Sequence, residues 1–285
     1  NPQCHTPAPL SGNPNQLRWM IALSLLTPYM SLADNGLQPA TGAAGTPLIS
    51  DQHGVPVIDI VAPNANGLSH NQFLDYNVNK PGLVLNNALQ AGQSQLAGAL
   101  AANPQFQGQA ASTILNEVIS RNASRIEGAQ EIFGRPADYI LANPNGITLN
   151  GGSFINTTRA GFLVGNVDVD EQRIKHLDTR HATGTLHILE GGQSNLDGAL
   201  DLIAPRIESQ GPLTARDDLS LTVGRNLVRS TDQQVVEHLA APPGSVDASL
   251  FGAMQAGRIR ILSTAEGAGV RVGAEATATL LLIAA

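Results

Sequence analysis

From Asp138 onward apolar and polar residues alternate, and this pattern restricts the fold more than any other property of the chain. Val167 and Val169 alternate with Asp168 and Asp170, Leu186 and Ile188 flank His187, and Leu200 and Leu202 flank Asp201. Leu219, Leu221 and Val223 alternate with Ser220 and Thr222. Ile259 and Ile261 alternate with Arg258 and Arg260, and Val270 and Val272 flank Arg271. A period of two sends successive side chains to opposite faces of an extended strand, so each segment predicts a strand with one buried face. Leu200 and Leu219 lie 19 positions apart, about one coil of a solenoid whose strands stack in register. A β-sandwich would give the same alternation.

Turn chemistry punctuates these strands most clearly at Asn143–Asn156. Pro144 fixes its own φ, and Asn145 and Gly146 tolerate positive φ, which predicts a tight turn. Ile147, Leu149, Phe154 and Ile155 are strand formers on either side of Gly151-Gly152. The stretch therefore reads as turn, strand, turn, strand. Upstream, Val55–Val61, Phe73–Val78 and Leu83–Leu85 are runs of strand length. Ser94–Ala102 is rich in Ala and Leu and predicts a short helix, whereas the pattern of Thr113–Ile119 is ambiguous. Asp170–Ala182 and Ser230–Phe251 break the alternation and predict excursions from the coil wall.

Hydrophobic residues make up 42% of the chain and charged residues 14%, too apolar for a disordered polypeptide. Aromatics are only 4%, which suits a core of Val, Ile, Leu and Ala. From Asp34 onward there are 15 bases and 23 acids, a balance of −8. That surface repels phosphate backbones, so no nucleic-acid partner is expected. Arg18 precedes a short apolar run, Trp19–Leu26, followed by Pro28 and by small residues at Ser31 and Ala33. This predicts a signal peptide over residues 1–33, cleaved after Ala33, then a Gly/Ala/Pro linker over 34–46 and a single domain over 47–285. Without the presequence, which carries Cys4, the chain has no cysteine. The apolar last residues, Thr279–Ala285, are not the polar cap a solenoid needs, so further coils are expected to follow.

No residue pattern announces catalysis. The chain lacks a Gly-x-Ser-x-Gly elbow and a phosphate-cradling Gly-Lys-Ser/Thr loop. His176, His181 and His187 are not spaced as a familiar metal set. Asp168, Asp170 and Glu171 could serve a glycosidase or a calcium site on a β-helix, but they read more simply as a solvated outer face. The asparagines are more informative. Asn86, Asn87, Asn116, Asn143, Asn145, Asn150 and Asn156 fall near predicted strand ends, where side-chain amides can satisfy backbone groups.

Asn143-Pro144-Asn145-Gly146-Ile147, followed by Gly-x-Phe-Ile-Asn-Thr, resembles the secretion domain of two-partner secretion exoproteins, also called the haemagglutination activity domain. Further matching segments are Asp75–Val78, Gly82–Asn87, Leu96–Gly98, Ile114–Val118, Phe133–Ala137 and Gly252–Gly257, in the family's order. The resemblance implies an all-β fold: a right-handed parallel β-helix with an N-terminal cap and extrahelical excursions, in which Thr113–Ile119 is a strand. It implies as partner a dedicated outer-membrane β-barrel transporter with periplasmic polypeptide-binding domains. It also implies export through the periplasm of a Gram-negative bacterium to the medium or cell surface. No cofactor and no enzymatic activity are implied, and a monomer is expected. The residues carried over as the recognition motif are Asn143, Pro144, Asn145, Gly146 and Ile147, with Asn103 and Pro104 in the family's second Asn-Pro motif. There Gln105 and Phe106 depart from the pattern. The parent protein would be a contact-dependent inhibition toxin or a haemagglutinin-type adhesin. An adhesin surface and a carbohydrate-active β-helix enzyme are the competing readings.

Overall fold

A computed structural model describes residues 36–241, 248–264, 270–273 and 275–284; the expected signal peptide lies outside them. The strands stack into three faces of a right-handed parallel β-helix. The first face is a nine-stranded sheet. Its parallel strands are Leu68–Tyr76, Thr113–Val118, Ala137–Ala142, Thr157–Leu163, Ala199–Ala204, Asp218–Val223, Arg258–Ser263 and Leu280–Ala284. The second face runs from Ser124–Ile126 through Ile147–Leu149, Leu186–Ile188, Ile207–Ser209 and Ala248–Leu250 to Val270–Val272, all parallel. The third face begins with Leu83–Asn87, Ala129–Gly134 and Ser153–Ile155. A bridge between Gly152 and Gln193 carries it on to Gln193–Asn195, Leu213–Ala215, Met254–Gln255 and Ala276–Thr277.

The alternation specifies the register. Leu200 pairs with Leu219 and Leu219 with Ile259, so one inward column reads Ile114, Tyr139, Ala160, Leu200, Leu219, Ile259. All six are fully buried. A slip of one residue would turn each of these strands inside out. The adjacent outward column carries Asp138, Arg159, Asp218 and Arg258, where charges stay near water.

The N-terminal cap is antiparallel. Leu37–Ala40 pairs with Leu68–Tyr76, and Leu48–Gln52 pairs with Val55–Asp59, which lies parallel to Leu83–Asn87. The first parallel strands are thereby covered. Two expectations change here. Leu37–Ala40 is a strand inside the segment read as a linker. Ser94–Ala102 is not helical: Gly92–Ser94 and Gly98–Leu100 form an antiparallel hairpin. Glu131 holds the connection between its strands, accepting from the Gln95 and Leu96 N–H groups and the Ser94 hydroxyl. The Ala/Leu content that suggested a helix instead supplies Leu96, Ala97 and Leu100 to a small apolar cluster with Val84 and Phe133.

The excursions are one structure. Asn166–Asp170, Arg173–Asp178, Arg225–Arg229 and Val235–Leu239 form a four-stranded antiparallel sheet. Leu177 and Val228 from it pack with Leu68, Leu115, Ala142, Leu163 and Ile203 on the outside of the first face. Val167 and Val169 therefore belong to this clasp rather than to the coil wall, while Ala248–Leu250, placed in an excursion by its sequence, returns to the wall. The clasp's first hairpin turns at Glu171 and Gln172, both at positive φ. Asn66 and Asn64 donate to their carbonyls (3.3 and 2.8 Å), and Arg173 donates to Asn66 Oδ1 at 2.8 Å. The hairpin tip is thus tied to the turn that precedes the first coil.

One polar tie near the cap predicts a pH effect. His70 Nε2 lies 2.8 Å from Glu117 Oε2, and the Gln72 amide donates to the same oxygen at 3.0 Å. Burial pushes the Glu117 carboxyl up, but these hydrogen bonds and the nearby His70 outweigh it, and the carboxyl lies below its usual range. A carboxyl lowered on folding stabilises the protein above its unfolded pKa and loses that contribution as pH falls through the folded value. The wild type should therefore shed stability below pH about 4.5 that Glu117→Gln never had. Urea midpoints of the two proteins should converge as the buffer is acidified; parallel curves would rule the tie out.

Candidate corner-turn site

Asn143 ends the strand Ala137–Ala142 and is fully buried. Its N–H donates to Leu163 O of the next coil at 2.9 Å. Its side-chain amide reaches the other way. Nδ2 donates to Asn122 O and to Ser124 Oγ, both at 2.9 Å, in the preceding coil. Oδ1 accepts from the Asn145 backbone N–H (3.0 Å) and the Asn145 amide (2.9 Å). Both amide donors are used and the oxygen takes two bonds, which fills the inventory of an asparagine side chain.

The rest of the motif completes the turn. Gly146 N–H donates to Asn143 O at 3.3 Å. Gly146 has φ +119, and a Cβ there would stand 3.2 Å from Thr185 O, so backbone shape and close approach both favour glycine. Asn145 Nδ2 donates to Ser120 O at 2.9 Å. Pro144 O accepts from Thr183 and Gly184 N–H groups at 3.3 and 3.1 Å. Ile147 donates to Thr185 O at 3.2 Å and buries its side chain in the main core. One turn thus holds the corner before it and the corner after it. Only Pro144 and Asn145 are partly open to solvent.

Asn103 and Pro104 sit at a second corner built on the same plan. Asn103 is 4% exposed. Its amide donates to Ile60 O (2.9 Å) and Asn86 O (2.8 Å), and its Oδ1 accepts from the Gln105 N–H at 2.9 Å. Phe106 N–H closes the turn on Asn103 O at 3.2 Å. Gln105 departs from the family pattern but does the work Asn145 does in the other turn: its amide donates to Asp59 O at 2.7 Å. Phe106 packs against the main core. Pro104 is exposed. The structure does not bring the two motifs into one site; each ties its own pair of coils.

Other asparagines repeat the device. Asn87 donates to Ala111 O and Arg135 O and accepts from Ala111 N–H. Asn156 donates to Ile132 O and Gly134 O. Asn116 is the exception, since it lies mid-strand between the inward Ile114 and Val118. The motifs' partners Ser120, Asn122, Ser124 and Ile60 carry no signal of their own in the sequence, because each is chosen by the stacking of coils distant along the chain.

The carboxylates that suggested chemistry sit on an exposed strand of the clasp. Asp168 Oδ2 is 3.0 Å from His176 Nδ1 and Asp170 Oδ2 is 3.1 Å from Lys175 Nζ. His187 faces Glu208 at 3.3 Å on the second face. Among the described residues no group of three or more His, Cys, Asp or Glu side chains is placed to hold a metal ion.

The geometry defines a capped β-helix with asparagine-tied corners and a clasp, and comparison with known proteins gives the family. The family model of the TPS secretion domain matches residues 33–280. The chain belongs to the two-partner secretion (TPS) family as a secretion domain. It is 48% identical over 262 residues to a hemolysin of Proteus mirabilis, covering 90% of this chain and 16% of the relative. To a hemolysin of Serratia marcescens it is 46% identical, covering 82% and 15%, so the chain spans about a sixth of these relatives. Filamentous hemagglutinin of Bordetella pertussis is 34% identical, covering 92% and 7%. Among solved structures, the filamentous hemagglutinin secretion domain superposes with a TM-score of 0.76 at 30% identity, covering 87% of this chain and 97% of that one. The HMW1 secretion domain from Haemophilus influenzae shares the fold, with a TM-score of 0.56 at 14% identity over 87% and 70% of the two chains. The family is a secretion domain rather than a catalytic one, and it implies an outer-membrane transporter as partner.

Proposed function

We propose that this segment, as a monomer, delivers a large exoprotein to a cognate outer-membrane transporter, whose periplasmic polypeptide-binding domains receive it unfolded. Strand-forming segments such as Leu219–Val223 suit addition to a sheet edge. Outside the cell, chain that has emerged coils onto chain that emerged before it. Folding of a domain is worth only about 5–15 kcal/mol, yet it opposes back-sliding without a nucleotide. The Asn143–Ile147 and Asn103-Pro104 motifs act by shaping corners. The observation that supports this role is the consumption of the Asn143 amide by Asn122, Ser124 and Asn145, which leaves it little to offer a partner. Relatives named hemolysin, CdiA nuclease and filamentous hemagglutinin share this segment, so we place the parent's toxic or adhesive activity elsewhere in its chain.

The test is release from a Gram-negative host with and without the transporter. Wild-type release should depend on the transporter, and Asn143→Ala should be released poorly and fold poorly when purified. Release that ignores the transporter would sink the secretion reading. Poor release of an Asn143→Ala protein that folds normally would sink the corner-shaping role and favour direct contact.

A further inference from the structure

The clasp does not seat fully on the first face. A cavity of about 310 Å3 lies between them, at the small end of ligand pockets. Its lining includes Leu68, Ile140, Leu163 and Ile203 from the first face and Ile174 and Leu177 from the clasp. It passes Arg159, Ser230, Thr231 and Gln233 into an open groove of about 430 Å3 that carries Arg258 and Arg260.

Gly161 opens the cavity floor. It lies mid-strand, paired with Ile140 on one side and Asp201 on the other. A Cβ there would meet Tyr139 O at 3.6 Å and Ile140 Cγ1 at 3.7 Å, ordinary contact distances, and its φ is not left-handed. Glycine weakens a strand interior, and at this position neither backbone shape nor crowding calls for it. The effect of the missing side chain is open space under the clasp.

The groove's charges pair off except at Arg260 and at Asp138, whose carboxylate is held by a hydroxyl rather than by a cation. Arg159 Nη1 lies 2.9 and 2.7 Å from the two oxygens of the buried Asp201, to which Gln233 also donates at 2.6 Å. Arg258 meets Asp218 at 2.6 Å, Arg229 meets Asp232 at 2.8 Å, and Asp138 accepts from the Thr158 hydroxyl at 2.6 Å. The Arg260 side chain, half-buried, makes no ion pair or hydrogen bond among the described residues. Arg260 pairs in register with Ser220, Ser220 with Asp201 and Asp201 with Gly161, so its backbone stands three strand spacings, ~14 Å, from Gly161 on the cavity floor.

We propose that this cavity binds a single-chain aliphatic carboxylate, with the hydrocarbon under the clasp over Gly161 and the carboxylate at Arg260. The match is an apolar slot of limited volume that opens beside a guanidinium with no ion pair among the described residues, the group best suited to a carboxylate. The site is separate from the corner turns and does not depend on the secretion reading.

Titration calorimetry with hexanoate, octanoate and decanoate on this chain tests it. Binding should saturate at one per chain and tighten about fourfold per added methylene until the cavity is full. Arg260→Ala should weaken decanoate at least about fivefold and leave 1-decanol unchanged. Gly161→Val should abolish binding of both while its melting temperature holds or rises, because valine suits a strand. Thr231→Trp, at an exposed position on the rim, should weaken binding without touching the core. Absence of saturable binding overturns the proposal. So does binding that survives Gly161→Val, or carboxylate affinity that ignores Arg260→Ala.

Discussion

Asn143→Ala should lose about 3–5 kcal/mol of folding stability, an unusually large effect for one polar side chain. The substitution leaves the Ser124 hydroxyl, which is 1% exposed, and the Asn145 N–H without the partners that satisfied them. Each buried polar group so orphaned costs about 1–3 kcal/mol. The Asn122 carbonyl lies in an exposed corner and can turn to water, so it adds less. Asn143→Asp should fare little better, because its second oxygen would face the Asn122 carbonyl where an amide had donated. Asn145→Ala should lose only about 1 kcal/mol, since that residue is half-open to solvent and the Ser120 carbonyl can be hydrated. Urea unfolding should show the midpoint falling with an unchanged slope. Near-native stability in Asn143→Ala would mean that the amide's four bonds are replaced at no cost, and the corner-tie argument would fall.

Gly211→Ala should be as damaging for a purely steric reason. Its added Cβ would stand 1.9 Å from Leu189 O and 2.7 Å from the Gly192 N, both backbone atoms of the adjacent coil. Those atoms cannot rotate away, because ladder hydrogen bonds hold neighbouring coils about 4.8 Å apart. The corner has to open, and Gly211 N–H and Gln210 N–H, which donate to Ile188 O, lose their geometry. A loss above about 3 kcal/mol is expected. Gly161→Val supplies the opposite sign on the same scaffold. Calorimetric melting of both variants beside the wild type decides the matter. A Gly211→Ala protein within 2 °C of wild type would show that the corners yield more easily than stacked backbones should.

The alternation around Leu200, Leu219 and Ile259 made the wall strands legible, because a half-buried strand writes its register into its own residues. The turn at Asn143 was legible for a similar reason: proline and Asn-Gly restrict the backbone locally. The clasp was only half legible. Its Val167–Val169 alternation is indistinguishable from that of a wall strand, since an antiparallel sheet on an apolar surface buries one face just as a coil does. Ser94–Ala102 misled because Ala and Leu favour a helix in isolation, whereas Glu131, more than thirty residues away, fixes a hairpin there. The amide partners of Asn143 and Asn103 could not be read at all. They are set by which coils stack, a property of the assembled solenoid.

The tie between the clasp hairpin and Asn64–Asn66 changes what kind of object the stack is. A plain solenoid is a row of units that feel only their neighbours, and it can fray from whichever end is weaker. Here Arg173 and the carbonyls of Glu171 and Gln172 bind the turn before the first coil. The same strand, Arg173–Asp178, pairs with Arg225–Arg229, which belongs to a coil much further along. A chain of dependencies thus runs from the turn before the first coil to the coil that carries Arg225–Arg229, so peeling the first coil also strips the clasp of its far anchor. The hairpin tip can meet Asn64–Asn66 by itself, but the brace spans this distance only once residues 225–229 pair with it, so its completion comes after several coils have stacked.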